Sequence, residues 1–299
     1  AGAVPVVYGL RESLAGDQIN SVLGIVNGTT NFILDSMATS GASYADALAE
    51  AQALGFAEAD PTADVEGLDA AAKCAILASL AFHTRVSIDD VKVEGISGVI
   101  ADAAASGHTV KLLAIAERGK TDEGGDAVSV RVHPALVPND HPLASIAGAF
   151  NAIVIEGESA GRLMFYGKGA GGAPTATAVL SDVVAAAHHI AHGGAGPHEL
   201  VYANLPILPA SDAVTRYQIR LSVADKVGVL AEVTQVFADS DVSIRAVQQN
   251  ETWDSESGPV TTLVISTHRA TEGRLQQVVE ALEGLEDVVG VDAAMRIEG

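Results

Sequence analysis

The stretch YQIRLSVADKVGVLAEVTQVFADSDVSIRAVQQN, Tyr217–Asn250, decides the fold of the last third of the chain. Its opening YQIRLSV alternates apolar and polar residues, which is typical of a strand with one buried face. From Val227 to Ser240 the apolar residues return every three or four positions, which predicts an amphipathic helix. VSIRAVQQN then returns to a strand pattern. The stretch therefore predicts strand, helix and strand in that order.

The segments that follow repeat this order of strand, helix and strand. PVTTLVIST (Pro259–Thr267) predicts a strand, TEGRLQQVVEALEGL (Thr271–Leu285) a helix, and VVGVDAAMRI (Val288–Ile297) a final strand. The order βαββαβ is that of two split βαβ units, which form a four-stranded antiparallel sheet with two helices on one face. We expect a ferredoxin-like domain over residues 213–299.

The preceding residues predict a separate domain with a mixed sheet. Short runs rich in branched apolar residues indicate strands, and longer runs with helical spacing and capping residues indicate helices. The predicted strands are AGAVPVV (1–7), SVLGIVN (21–27), TVKLLAIAER (109–118), AVSVRVHPALV (127–137), NAIVIEGE (151–158) and RLMFYG (162–167). The predicted helices span 29–41, 43–55, 68–82 and 175–192. Pro206–Asp212 reads as a linker, so we expect an α+β chain whose first domain spans residues 1–212.

Composition and charge restrict the class of protein. The 299 residues are 48% hydrophobic, enough for two domains with real cores. Seventeen basic against 38 acidic residues give a formal charge of −21, which argues against nucleic acid and anionic lipid as partners. Cys74 is the single cysteine, and no apolar run is long enough to span a bilayer. We expect a cytoplasmic protein with no membrane partner.

An acidic run with one lysine is the most informative candidate site. GFAEADPTADVEGLDAAAK, Gly55–Lys73, ends where that lysine enters an apolar helix. Asp69 and Lys73 are four residues apart, so on a helix they share a face and can pair. A lysine in such a helix carries a desolvation cost unless it is paired, and a paired lysine there suits proton transfer. An ordinary exposed ion pair on a solvated face is the equally weighted alternative.

A glycine-rich turn forms the second candidate site. In YGKGAGGAPTATAVLSD, Tyr166–Asp182, the residues Gly167, Gly169 and Gly172 fit the pattern GxGxxG between a strand and a helix. No second strand ending in an acidic residue follows at the spacing of a dinucleotide-binding unit. We interpret the turn as a loop whose backbone amides approach a polar ligand, and a plain tight turn is the alternative.

The C-terminal domain offers a third candidate. DKVGVL sets Asp225 and Gly228 between the end of a strand and the start of a helix. The free amides of a helix N-terminus suit a carboxylate, and glycine permits close approach of the backbone. The alternative is a strand-to-helix turn with no ligand.

These motifs together resemble the homoserine dehydrogenase family. The resemblance rests on the run from Ala51 through Gly55, Asp60-Pro61, Asp64, Gly67 and Asp69 to Lys73. IVNGTTNFIL (25–34) and GAGGAPTATAVLSD (169–182) are similar to segments of that family's substrate domain. The βαββαβ segment with DKVGVL resembles the ACT domain found at the end of bacterial members. The resemblance covers essentially the whole chain. It implies that residues 1–212 are a catalytic domain for substrate binding and oligomerisation and that residues 213–299 are an ACT regulatory domain.

The resemblance implies an NAD(P)-dependent interconversion of L-homoserine and L-aspartate 4-semialdehyde, within threonine, methionine and isoleucine biosynthesis. It implies that Lys73 accepts the proton and that Asp69 orients it. It further implies the following sites: Glu58, Asp64, Gly28 and Thr29 for substrate; Gly169, Ala170 and Gly171 for cofactor; Asp225, Gly228, Val229 and Leu230 for an amino-acid effector, expected to be L-threonine; and the backbone carbonyls of Gly2 and Val4 for a monovalent cation.

Family members begin with a Rossmann domain, and the first residues here contain no strand followed by a glycine-rich phosphate turn. We therefore expect a fragment that lacks the nucleotide-binding domain and is inactive alone, and that forms a homodimer or larger homo-oligomer. Two rival interpretations stay open: a non-catalytic, amino-acid-binding regulatory module, and a nucleotide-binding enzyme of another kind that uses the GxGxxG turn.

Overall fold

The computed structural model describes residues 2–99, 107–194, 198, 201–255 and 258–299. The chain divides into two compact units, one of Ala1–Pro134 with Asn139–Leu208 and one of Ala135–Pro138 with Pro209–Gly299. The predicted boundary at residue 212 stays a prediction. Among the described residues, no helix combines the length and hydropathy needed to cross a membrane.

The first unit contains a mixed sheet. Its strands are β1 (Ile19–Ile25), β2 (Lys92–Val93), β3 (His108–Lys120), β4 (Asp126–Pro138), β5 (Phe150–Gly157) and β6 (Gly161–Lys168). Five of them follow the order β6-β5-β1-β3-β4, with β2 parallel to β4. β1 lies between β3 and β5 and is antiparallel to both. β1 is central, and its last four residues, Val22–Ile25, are apolar and buried in the interior of the unit.

The described part of the first unit also contains six α-helices, of which the second and the fifth pack on the sheet and the last buries none of its residues. They are α1 (Val6–Tyr8), α2 (Gly28–Ser40), α3 (Tyr44–Ala53), α4 (Thr62–Val65), α5 (Leu68–Phe82) and α6 (Gly172–His192). α5 packs against β3 and buries the cysteine Cys74 and seven apolar residues. The predicted bounds of this helix are confirmed, because its apolar residues recur on the face toward the sheet.

Asn27 caps α2, so this helix begins one residue before the predicted start at residue 29. The Asn27 side chain accepts a hydrogen bond from the amide of Thr30 at 2.9 Å, and the helix begins at Gly28. Asparagine is among the preferred N-cap residues, since its oxygen reaches the free amides of the first turn.

The predicted strand at residues 1–7 is wrong. Val6–Tyr8 forms a short helix, and a π-helical turn, Gly9–Ser13, continues it. Pro5 precedes this helix and has no amide hydrogen for a strand ladder. Gly9 also packs on the ring of Phe165, where a Cβ would lie only 2.5 Å from the nearest ring atom.

The second unit has the predicted βαββαβ order. Its elements are β7 (Val214–Ala224), α7 (Val229–Asp239), β8 (Ile244–Ser255), β9 (Gly258–Thr267), β10 (Ala270–Thr271), α8 (Glu272–Glu283) and β11 (Val288–Ile297). β7 pairs antiparallel with β9 and β11, and β8 pairs antiparallel with β9. Ala135 and Leu136 add a short parallel ladder to the end of β11. Apolar residues of both helices and the sheet form one core.

Candidate active site

A cavity of about 370 Å³ lies in the first unit where β1 ends and α2 begins. This volume is in the range of pockets that hold small ligands. The cavity brings together eight of the predicted substrate, cofactor and catalytic residues: Gly28, Thr29, Asp64, Asp69, Lys73, Gly169, Ala170 and Gly171. These residues come from three separate stretches of sequence.

The ammonium group of Lys73 donates hydrogen bonds to two acceptors of the protein. Its Nζ donates to Oδ2 of Asp69 at 2.6 Å and to the carbonyl oxygen of Val26 at 3.1 Å. Its side chain is 33% exposed, so it is neither an ordinary surface lysine nor a fully buried one. An ammonium group has three N–H donors, and two of them have acceptors here. Among the described residues the third has no acceptor, and Lys73 lines the cavity.

Asn27 joins the two carboxylates of the cavity. Its Nδ2 donates to Oδ1 of Asp64 at 2.6 Å and to Oδ2 of Asp69 at 2.9 Å. Asp64 lies on α4 and Asp69 on α5, so one side chain connects two helices. Oδ2 of Asp69 therefore receives hydrogen bonds from both Asn27 and Lys73.

Gly28 and Thr29 shape the wall of the cavity at the start of α2. A Cβ on Gly28 would lie 2.7 Å from the carbonyl oxygen of Ala149, so only glycine fits this contact. The hydroxyl of Thr29 donates to the carbonyl of Phe56 at 2.7 Å, which fixes the turn after α3 over the cavity. The hydroxyl hydrogen of Thr29 is thus used in a hydrogen bond within the protein.

The glycine loop before α6 lies on Asn151. A Cβ on Gly169 would be 2.2 Å from Nδ2 of Asn151, so the backbone of the loop packs flat on this amide. Nδ2 of Asn151 donates to the Val26 carbonyl at 3.0 Å, the same oxygen that Lys73 contacts. Oδ1 of Asn151 is buried and has no hydrogen-bond partner among the described residues.

Buried Lys111 holds the loop that carries Ala149. Its Nζ donates to Oδ1 of Asn31 at 3.1 Å and to the carbonyl of Ile146 at 2.6 Å. Asn31 in turn donates to the carbonyl of Gly148 at 2.7 Å. Burial lowers the pKa of Lys111, and the nearby Asp35 carboxylate opposes this shift.

Glu58 does not join the other predicted substrate residues. It is exposed on the segment between α3 and α4 and is not part of the cavity lining. Its carbonyl accepts a hydrogen bond from Nε2 of Gln52 at 3.0 Å. A role for its carboxylate stays a prediction.

The predicted effector residues surround the start of α7 in the second unit. Gly228 is the N-cap with a φ of 103°, and a Cβ there would meet nothing within 4 Å. Val229 is buried while Leu230 is exposed. Oδ2 of Asp225 accepts a hydrogen bond from the hydroxyl of Thr252 at 2.7 Å, so this carboxylate already has one donor.

The predicted cation ligands lie near the glycine loop. A Cβ on Gly2 would be 2.4 Å from the carbonyl oxygen of Gly169. The carbonyl of Val4 accepts a hydrogen bond from the amide of Val6 at 2.9 Å. No cluster of three or more His, Cys, Asp or Glu side chains suited to a metal occurs in the described part of the chain.

Sequence reasoning missed Asn27 and Asn151. Asn27 carried a local signal, because an asparagine before Gly-Thr-Thr and an apolar helix is a preferred N-cap. Asn151 carried none, since its neighbours Val26 and Gly169 are distant in sequence and meet it only in the folded sheet.

Comparison with known proteins matches a different family profile to each unit. The homoserine dehydrogenase family profile matches residues 5–184, and the ACT domain profile matches residues 217–287. The homoserine dehydrogenase of Corynebacterium glutamicum is 56% identical over 302 residues, covering 100% of this chain and 67% of that protein.

Solved structures agree. A homoserine dehydrogenase from Thiobacillus denitrificans is 37% identical with a TM-score of 0.89, covering 100% of this chain and 68% of that one. A hyperthermophilic archaeal homoserine dehydrogenase mutant in complex with NADPH is 32% identical with a TM-score of 0.53, covering 62% of this chain and 53% of that one. The family profile matches more than half of the chain, so this chain belongs to the homoserine dehydrogenase family and carries an ACT regulatory domain.

Proposed function

We propose that the cavity binds L-homoserine or L-aspartate 4-semialdehyde and that Lys73 exchanges the proton in their NAD(P)-dependent interconversion. One observation carries the proposal: Lys73 uses two of its donors on Asp69 and Val26 beside a cavity that can hold a small amino acid. Family membership supports the reaction class.

The proton step follows from this geometry. When the aldehyde is reduced, a hydride arrives at carbon and the carbonyl oxygen needs a proton. Lys73 as an ammonium donates it through its third N–H, and in the reverse direction neutral Lys73 accepts the hydroxyl proton. Asp69 holds Nζ in place through this hydrogen bond.

The substrate ammonium needs anionic partners in a closed site. Asp64 and Asp69 supply two carboxylates at the cavity wall, joined through Asn27. Each carboxylate oxygen can accept more than one hydrogen bond, so both groups keep acceptor capacity for a ligand. Glu58 is a further candidate from the family resemblance alone.

The residues present fit the nicotinamide end of a cofactor. NAD(P) supplies or removes the hydride when it is bound. Gly169, Ala170 and Gly171 present backbone without bulky side chains at the cavity, and the first amides of α6 have no partner within the helix. The buried, unpartnered Oδ1 of Asn151 adds an acceptor beside them.

A monovalent cation does not fit the described residues well. Gly2 and Val4 offer two backbone carbonyls, and that of Val4 already accepts from Val6. Hard cations such as Ca²⁺ take about six to eight oxygen ligands, and a larger monovalent ion also needs several. We therefore derive no step of the reaction through an ion.

The second unit is proposed to bind L-threonine as effector. The amides at the start of α7 suit its carboxylate, and the exposed Asp225 suits its ammonium. Gly228 supports the site because nothing blocks the approach of a ligand to its Cα. Threonine itself rests on the family resemblance.

A homodimer or larger homo-oligomer is proposed from exposed apolar surface in the first unit. Edge strand β6 exposes Met164 and Tyr166, and α6 buries none of its residues and exposes Val179 and Val183. A group of exposed apolar side chains is typical of protein interfaces.

A cytoplasmic location agrees with the single, buried Cys74.

The reaction is tested with the full-length protein, that is, the whole product of the gene that encodes this chain. Purified protein is mixed with L-aspartate 4-semialdehyde and NADPH or NADH, and the loss of reduced cofactor is followed by absorbance. We expect saturable, homoserine-forming turnover. Binding of homoserine without turnover would favour a non-catalytic module, and absence of both would overturn the proposal.

A further inference from the structure

The amide group of Asn27 has a fixed orientation. Its Oδ1 accepts from the amide of Thr30 at 2.9 Å and from the Thr30 hydroxyl at 3.1 Å, which caps α2. The side chain is 5% exposed, so it cannot rotate freely into solvent. Because the oxygen faces the helix, Nδ2 must face the cavity.

Both N–H groups of Nδ2 are used on carboxylates. An asparagine amide has two donors, and these go to Asp64 at 2.6 Å and to Asp69 at 2.9 Å. The two acceptor oxygens therefore lie on either side of one nitrogen atom. Two carboxylates this close repel each other, and a shared donor offsets that repulsion.

Asn27 is also connected to Lys73 through Asp69. Oδ2 of Asp69 is the oxygen that receives Asn27 and also Lys73. Movement of Asp69 away from Asp64 would carry Lys73 with it. Asn27 is thus placed between the end of β1, the cap of α2 and the ion pair on α5.

We infer that Asn27 is a positioning residue: it holds Asp64 and Asp69 together as a paired anionic site for a substrate ammonium and sets the place of Lys73 through Asp69. The inference deepens the proposed function and rests on it. Asn27 itself transfers no proton, since its donors and its acceptor are all engaged within the protein.

Two substitutions separate this role from helix capping. Serine and aspartate are both good N-caps, so Asn27→Ser and Asn27→Asp keep an acceptor for the first turn of α2. Both lose the amide donor, and Asn27→Asp adds a third carboxylate next to Asp64 and Asp69. Ser43→Ala is the matched control, because Ser43 caps the exposed helix α3 through Asp46 and lies outside the cavity lining.

The experiment measures kcat and KM for homoserine and the thermal unfolding of the full-length protein. We expect Asn27→Ser to lose about 10- to 100-fold in kcat/KM, as for one charge-assisted hydrogen bond, and to unfold cooperatively near the wild-type temperature. Asn27→Asp should lose more activity and unfold at a lower temperature, because its added carboxylate is buried beside Asp64 and Asp69. Ser43→Ala should lower the unfolding temperature and leave both constants unchanged.

Activity and stability distinguish the outcomes. The positioning role is wrong if Asn27→Ser keeps wild-type kcat/KM, or if Ser43→Ala loses as much kcat/KM for the same fall in unfolding temperature. A fully active wild type with such variants would leave the proposed function intact. A wild type without turnover would overturn the proposed function and this inference with it.

Discussion

Nζ of Lys73 lies 2.6 Å from Oδ2 of Asp69, one turn earlier on the same face of α5. The pair is about one third exposed and lines a cavity, whereas an ordinary surface pair would face solvent on an outer helix face. Its second acceptor, the Val26 carbonyl, comes from the end of a buried strand. The two acceptors therefore fix the position and the orientation of the Lys73 ammonium group.

Lys73→Ala in the full-length protein should abolish turnover. General acid–base groups contribute about 10²- to 10⁴-fold, so we expect kcat to fall by at least about 100-fold. Folding should persist, because alanine is a better helix former than lysine. Circular dichroism and steady-state kinetics measure both, with exposed Lys92→Ala as control. Near-wild-type kcat in Lys73→Ala would refute the assignment.

Asp69→Asn should lower kcat more than it raises KM for homoserine. The substitution keeps the shape of the side chain but removes the charge that orients Lys73. We expect a drop of about tenfold or more in kcat. Asp122→Asn, at an exposed turn, serves as the control. An effect confined to KM would instead assign Asp69 to substrate binding.

L-Threonine should bind this chain with saturable heat in titration calorimetry. Asp225→Asn should weaken binding by about 10- to 100-fold, because one charge-assisted contact is lost. Asp239→Asn, at the far end of α7, should bind as the wild type does. Methionine and isoleucine are titrated in parallel to identify the effector. No heat with any of the three would remove the effector site.

The chain should assemble in solution. Light scattering coupled to size exclusion should give a mass of at least two copies. Val183→Glu on the exposed apolar face of α6 should reduce that mass, since a charge at an apolar interface is costly. The control for added charge is Thr177→Glu, at an exposed position on the same helix. Asp182, the neighbour of Val183, is not substituted because it accepts a hydrogen bond from Tyr8. A monomeric wild type would contradict the proposal.

Cys74 should resist thiol reagents in the folded protein. Burial raises its pKa to about 12, so the reactive thiolate is scarce at neutral pH. We expect no labelling over the time in which unfolded protein in denaturant is labelled fully, as measured by mass spectrometry. Rapid labelling of the native protein would show that α5 is not packed as described.

The elements that sequence predicted well are those with local signals. The bounds of α5 and the βαββαβ order follow from periodicity and from glycine or polar breaks. The strand predicted at residues 1–7 failed because Pro5 and the contact of Gly9 with Phe165 override an apolar run. Strand propensity predicts structure poorly where such tertiary contacts compete with it.

The candidate site was predicted only in part for a similar reason. Lys73 and Asp69 share a helix, so their spacing places them together. Asn151 reaches Val26 across 125 positions of sequence, and no local pattern predicts such a contact. The exposed position of Glu58 likewise depends on how the segment after α3 turns.

A crystal structure of the full-length protein with L-homoserine tests the central claim most directly. We predict homoserine in the cavity, with its hydroxyl oxygen about 3 Å from Nζ of Lys73 and its ammonium within hydrogen-bond distance of Asp64 or Asp69. Homoserine bound outside this cavity, or with its hydroxyl beyond reach of Lys73, would contradict the account.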